Sequence, residues 1–303
     1  MKETILQKSA YFTNKNSTSK IIIELKNRVA TKSQKIIGGI IMEKINLKKG
    51  FIEKYDFGEI KLHSYQTNDL MYDESYILEN NDNVLLVEFP AFYDNLQEFE
   101  EYVKNIGKPV VGKVFSDHPN GGTIFKNIKG YASAGTIKSM KEGTIHNLVT
   151  GFETAFRGTF AKEYHEITDV LTESKVNIGG FELNITYHDE NIEIEFPQIN
   201  CVYTHMLGHD CHSIVAGEGH ADAIIEQLKN YKQKGYNLIL SSHYTPETLK
   251  DVDTKIEYLN ELKKIAKQSL NARDFEERVK ARYPEYSGLN YLGMTAGYFF
   301  PKS

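Results

Sequence analysis

Apolar and polar positions first fall into a regular pattern at Ile60-Lys-Leu-His-Ser-Tyr65, which alternates with the period of a half-buried strand. Ser75–Leu78 and Val84–Val87 flank the turn-forming run Glu79-Asn-Asn-Asp-Asn83, which predicts a β-hairpin. The period then changes. Asn95–Val103 has helical spacing, and Pro109–Phe115 is a buried-type strand ending at Asp117-His118-Pro-Asn-Gly-Gly122. Strand, helix, strand and polar loop form a βαβ-like unit, with chemistry-bearing side chains at a strand's C-terminal end. Tyr131–Ser133 reads as a short strand leading into a helix over Ala134–Lys141. Val176–Thr186 and Ile192–Phe196 read as hairpin strands joined near His188-Asp-Glu-Asn191, and Asn200–Tyr203 as another strand. Ala221–Gln233 is an amphipathic helix, Tyr236–Leu240 a short buried strand ending at His243, and Pro246–Leu270 a long helical stretch. With no short-period repeat, one domain of two strand–helix halves over residues 42–303 is expected.

Composition narrows the class. The 303 residues are 40% hydrophobic and 25% charged, as in soluble globular proteins. No apolar run is long enough to span a bilayer. Cys201 and Cys211 are too few for a disulfide framework, and no secretory signal opens the chain, so a reducing, cytoplasmic setting is expected. Residues 1–41 hold eight Lys/Arg against two Asp/Glu, whereas the rest hold 28 against 39. The acidic body would repel a phosphate backbone, which argues against nucleic acid and for a small-molecule ligand or substrate. The basic segment 1–41 reads as a disordered or mistranslated upstream stretch. The codons of Gly38-Gly39 can form a ribosome-binding site ahead of a translation start at Met42, a reading that the N-terminal mass of the native protein would check.

The order of motifs resembles the metallo-β-lactamase superfamily over most of residues 55–265. The signature loop of that family reads H-x-H-x-D-H-x-x-G, and the same register here is Lys113-Val-Phe115-Ser-Asp117-His118-Pro-Asn-Gly121. Leu86-Val-Glu88-Phe-Pro90 is similar to the "LIDTG" strand end, with Glu for Asp. His188 falls at the "GHT" histidine, His205 replaces the bridging aspartate, and His212 lies where relatives carry a further histidine. Leu238–His243 is similar to the final strand-and-"GH" motif. The resemblance implies a four-layer αββα sandwich.

It also implies a site of altered chemistry. The three-histidine half of the family site becomes Lys113, Phe115 and His188. Phe has no lone pair and Lys is protonated near neutral pH, which argues against a two-metal centre. The other half becomes Asp117, His118, His205 and His243, a credible set for one divalent ion: Zn, alternatively Fe or Mn. Lys113 would then supply positive charge where the first metal sat, or pair with Asp117 as a structural substitute, and Phe115 would pack. Lys113 and Asp117 are the catalytic candidates; His188, His212 and Phe115 are expected to line the pocket. The Cys and His residues of Cys201–His212 fit no common structural-zinc spacing, and packing explains them as well.

Two functions follow. One is a single-metal hydrolase of an ester, lactone, thioester or phosphodiester. The other is a non-catalytic binding protein on the same fold, which the lost ligands favour. A two-iron redox relative would need both metal sites. The Tyr-rich stretch Tyr283–Tyr298 reads as core or as the contact of a homo-oligomer.

Overall fold

The computed structural model describes residues 33–206 and 208–301. Two sheets carry fourteen strands among these residues. The first sheet runs β1 (Ser33–Ile37), β2 (Ile40–Asn46), β3 (Phe51–Asp56), β4 (Lys61–Gln66), β5 (Glu74–Glu79), β6 (Val84–Val87), β7 (Val110–Phe115), β8 (Gly130–Ser133) and β9 (Asp169–Leu171), in that spatial order. The second runs β10 (Lys175–Ile178), β11 (Phe181–Tyr187), β12 (Ile192–Phe196), β13 (Cys201–Thr204) and β14 (Leu238–Ser241). Pairing is antiparallel up to β6 and from β10 to β13. It is parallel across β6–β9 and between β13 and β14, where crossovers must pass outside the sheets.

Those crossovers make the outer layers. Helix α1 (Tyr93–Ile106) buries Leu96, Phe99 and Val103 on one side of the first sheet, against Phe89 and Phe115. Helices α4 (Glu218–Lys234), α5 (Leu249–Gln268), α6 (Ala272–Arg282) and α7 (Leu289–Phe299) cover the outer face of the second sheet, around Val202 and Ile239. Between the sheets lies one core that interleaves Leu62, Leu78, Leu85 and Val114 with Leu183, Ile194, Tyr203 and Leu240. The result is an αββα sandwich, as the sequence implies. Helices α2 (Ala134–Glu142) and α3 (Thr144–Phe156) sit at the end of β8.

Three boundaries differ from the sequence reading. Residues 33–41 are strand and turn, not a loose tail: Gly38 and Gly39 have φ of 58° and 89° and close the β1–β2 hairpin, with Ile37 and Ile40 packed on the core. Residues 1–32 and the start-site expectation lie outside the described residues. The single strand expected over Val176–Thr186 is two, folded back at Gly179-Gly180, whose φ values of 60° and 92° suit glycine alone. Helix α3 has no counterpart among the elements expected from the sequence. In the C-terminal stretch, Tyr283 and Tyr286 pack on the α4–α7 core, whereas Met294 and Tyr298 are exposed. No described helix is long and apolar enough to cross a membrane.

Candidate metal centre

Strands β7, β13 and β14 end at the same edge of the sandwich, and β5 begins there. His118 follows β7, His205 follows β13, His243 follows β14 and Asp73 precedes β5. One ligand atom from each of His118, His205 and His243 lies within 4.8 Å of the others. The rings meet edge to face, with centroids 4.9 Å apart for His118–His243, 5.2 Å for His205–His243 and 5.7 Å for His118–His205. Among the described residues no other His, Cys, Asp or Glu group has this geometry.

A carboxylate that sequence reasoning missed backs this group. Asp73 is fully buried, with Oδ1 3.3 Å from His243 Nδ1 and 3.8 Å from His118 Nδ1. Its Oδ2 accepts from the Ala91 amide at 3.2 Å. Burial pushes the Asp73 carboxyl up, but His118, His243 and the Ala91 amide outweigh it and hold the group below the usual carboxylate range. His243 Nδ1 also meets the Met71 carbonyl at 3.0 Å, which leaves Nε2 as the nitrogen free to bind an ion. His118 Nδ1 and Asp73 Oδ1 are buried without a hydrogen-bond partner. His118 is pushed down to about 4, first by burial, which favours the neutral ring at neutral pH. Three imidazoles converging beside a buried carboxylate with an unpartnered oxygen are a donor set that fits a divalent ion, with zinc suited to the nitrogen-rich shell. No motif marks Asp73; only its burial does.

The loop that carries His118 is held by Glu88. This buried side chain, on a backbone with φ of 57°, accepts from the amides of Ser116 at 2.5 Å, Asp117 at 3.0 Å and His118. Burial, then the Asp117 charge, pushes Glu88 up to about 8 against the pull of those amides. Asp117 lies beside the three imidazoles and not within their group. Its carboxylate accepts from Ser116 Oγ at 2.6 Å and from Asn191 Nδ2 at 3.1 Å.

Other expected site residues go elsewhere. Lys113 does not pair with Asp117. It is buried, donating from Nζ to the Phe125 carbonyl at 3.0 Å and lying 3.2 Å from His165 Nδ1. Burial lowers Lys113 to about 8; burial, then Lys113, lowers His165 to about 3. Phe115 packs as expected, stacked on the His165 ring at 5.0 Å. His188 is exposed in the β11–β12 turn, where its amide donates to the Asn191 carbonyl, and it does not join the three imidazoles. His212 is buried in the helical layer with Nδ1 3.0 Å from Tyr258 Oη, far from the role expected of it at the pocket. Cys201 lies in the inter-sheet core and Cys211 accepts from Tyr244 Oη at 3.1 Å, so neither joins a metal group. Tyr72 and Tyr244, the neighbours of Asp73 and His243, stack at 5.3 Å and line a cleft of about 400 Å³.

The fold is shared with solved structures of low sequence identity. Among solved structures, the stereoselective inverting sec-alkylsulfatase Pisa1 from Pseudomonas sp. is similar at 15% identity and a TM-score of 0.57, over 81% of this chain and 49% of that one. A double mutant of the same sulfatase aligns at 15% identity and 0.56, over 77% and 48%. The chain thus spans about half the length of these sulfatases, and at this identity the likeness concerns the fold. The DIM-1 metallo-β-lactamase aligns at 14% identity over 69% of this chain and 97% of its own, but its TM-score of 0.46 carries no weight here. The sequence matches no family model and no curated protein.

Proposed function

We propose that the protein is a metal-dependent hydrolase that holds one divalent ion on His118, His205 and His243. The observation that carries this reading is the convergence of three imidazoles on one point at the sheet edge. When bound, such an ion supplies Lewis-acid polarisation of a substrate oxygen and acidifies water. The chain's own groups would do the rest. Asp73 fixes the ring orientations of His243 and His118 from behind, as carboxylates behind metal-binding histidines commonly do. Glu88 fixes the height of the His118 loop. Asp117, steered by Ser116 and Asn191, is the carboxylate placed to take a proton at the rim, and it is a candidate fourth ligand.

Lys113, the other catalytic candidate, is sealed against His165 and serves structure in this reading. The substrate class within esters, lactones, thioesters and phosphodiesters is open, and sulfate esters join that panel because Pisa1 is an alkylsulfatase. A screen of the zinc-, iron- and manganese-loaded protein against these esters tests the proposal. Turnover that disappears in His243→Ala supports it. A protein that binds the metal but turns over none of the panel moves the reading to a binding protein on this fold, which Lys113 and Phe115 in place of histidine ligands favour.

A further inference from the structure

Helix α3 is held differently from the helices around it. Of its thirteen residues only Ile145 is fully buried, whereas α1 buries four of fourteen. Val149, Phe152 and Phe156 lie against Ala91, Phe92, Phe160 and Met71, in a small cluster separate from the three larger cores. Phe92–Phe156 and Phe152–Phe160 meet edge on, at 5.1 and 5.7 Å between centroids. The helix makes its extensive contacts with its chain neighbours, α2 and the 3-10 turn Arg157–Thr159. An element with so few buried contacts opens at low cost.

Gly143 precedes α3, and a Cβ there would stand 2.6 Å from Ser139 Cα, so the junction with α2 is closely packed. Arg157 follows it with φ of 44° and ψ of −152°, a backbone state that glycine takes freely and arginine holds only under strain. Swinging α3 outward would release that strain. One carboxylate pins the closed position: Glu190 accepts from the Thr144 amide and from Ser139 Oγ, both at 3.0 Å.

The cluster under α3 touches the three-histidine centre through two backbone groups. The Met71 carbonyl meets His243 Nδ1 at 3.0 Å, and the Ala91 amide donates to Asp73 Oδ2 at 3.2 Å. The side chains of the cluster present carbon and thioether surface alone, while the charged pair Glu153–Lys162 sits outside it, both side chains about half exposed. We propose that α3 is a lid, and that the groove opened between it and Phe92 seats a straight alkyl chain of the substrate beside the metal centre, with Phe92, Phe152 and Phe156 setting the chain-length preference. This rests on the hydrolase reading for the polar end of the substrate only. The alkyl groove stands on α3 itself.

The chain contains no Trp, so Phe152→Trp gives a single reporter. Straight-chain carboxylates from acetate to dodecanoate, titrated into the full-length Phe152→Trp protein, should shift its emission saturably. Each added methylene should tighten binding about fourfold until the groove is full, from ~0.8 kcal/mol per buried CH₂. The same slope should persist in Phe152→Trp/His118→Ala, because the chain and not the carboxylate reads the groove. Affinity independent of chain length, or no emission change, overturns the lid. A slope that survives while neither protein binds metal keeps the lid and rejects the metal centre. On the unsubstituted protein, hydrogen exchange in α3 should be faster than in α1 and slow on adding dodecanoate; exchange as slow as in α1, or indifferent to dodecanoate, also overturns the lid.

Discussion

Two halves of one strand end have gone in opposite directions. At Lys113 and Phe115, where the family resemblance places histidine ligands, the space has closed. An ammonium is sealed against a carbonyl and His165, and Phe89 and Phe115 pack on the His165 ring. Three residues further on, His118 keeps its ring free and turned toward His205 and His243, with Asp73 behind it. Both halves hold buried polar groups, although His205 in the second is exposed. The first has supplied its ammonium with partners from the chain and leaves only His165 Nε2 without one, while the second keeps both His118 Nδ1 and the Asp73 Oδ1 it faces without any. A buried polar group left unpartnered costs about 1–3 kcal/mol, so a cluster of them persists where something else meets the cost. Closure of one half of this strand end therefore does not entail closure of the other.

The comparison can be sharpened first at Asp73. Asp73→Asn keeps the shape and removes the charge that orients two imidazoles. Metal affinity should fall about 10- to 100-fold, read by competition with a chromogenic chelator. Unchanged affinity would mean that the carboxylate is only a structural partner of the Ala91 amide. Next is Glu88→Gln, which cannot accept from three amides without setting an NH₂ against one of them. A stability loss of about 1–3 kcal/mol in urea is expected, together with weaker metal binding as the His118 loop loosens. Stability lost without any change in metal binding would separate Glu88 from the site.

The smallest effect is expected in the closed half. Replacing both polar partners in Lys113→Met/His165→Phe should leave stability at pH 7 within about 2 kcal/mol of the parent, because an apolar pair of similar volume repacks among Phe89 and Phe115. Its pH dependence is more telling. His165 stays neutral in the folded chain down to about 3 but takes a proton near 6.5 once unfolded, so unfolding takes up a proton between those values. Stability should therefore fall as pH drops from 6.5 toward 3. Lys113 is held at about 8 against an ordinary 10.5, so stability should rise as pH climbs between those values. Urea midpoints across this range should show shallower slopes in the double variant, the remainder coming from His118, His212 and Lys255, which burial shifts the same way. Slopes as steep as in the parent would assign the whole effect to those other groups.

Much of the fold was legible because periodicity reports burial. The β5–β6 hairpin, α1, β7, α4 and α5 all carry apolar spacing that the sandwich uses. Helix α3 escapes a sequence reading because its contacts are few: an apolar stripe that covers a small satellite cluster competes with Thr, Gly and Asn that read as loop. At the site, His118, His205 and His243 could be found because each follows a strand at a motif position. Asp73 could not, since nothing in Tyr72-Asp73-Glu74 says that the start of β5 faces the ends of β7 and β14. Lys113 was visible as a substitution, but its partner was not. His165 lies 52 residues away and meets it only through tertiary packing.

Elemental analysis of the parent, His118→Ala and Lys113→Met, expressed together with zinc, iron and manganese supplied, tests the two-halves account most directly. About one equivalent of metal in the parent and in Lys113→Met, with none in His118→Ala, is the predicted result. Two equivalents in the parent, or metal lost from Lys113→Met and kept in His118→Ala, would contradict it.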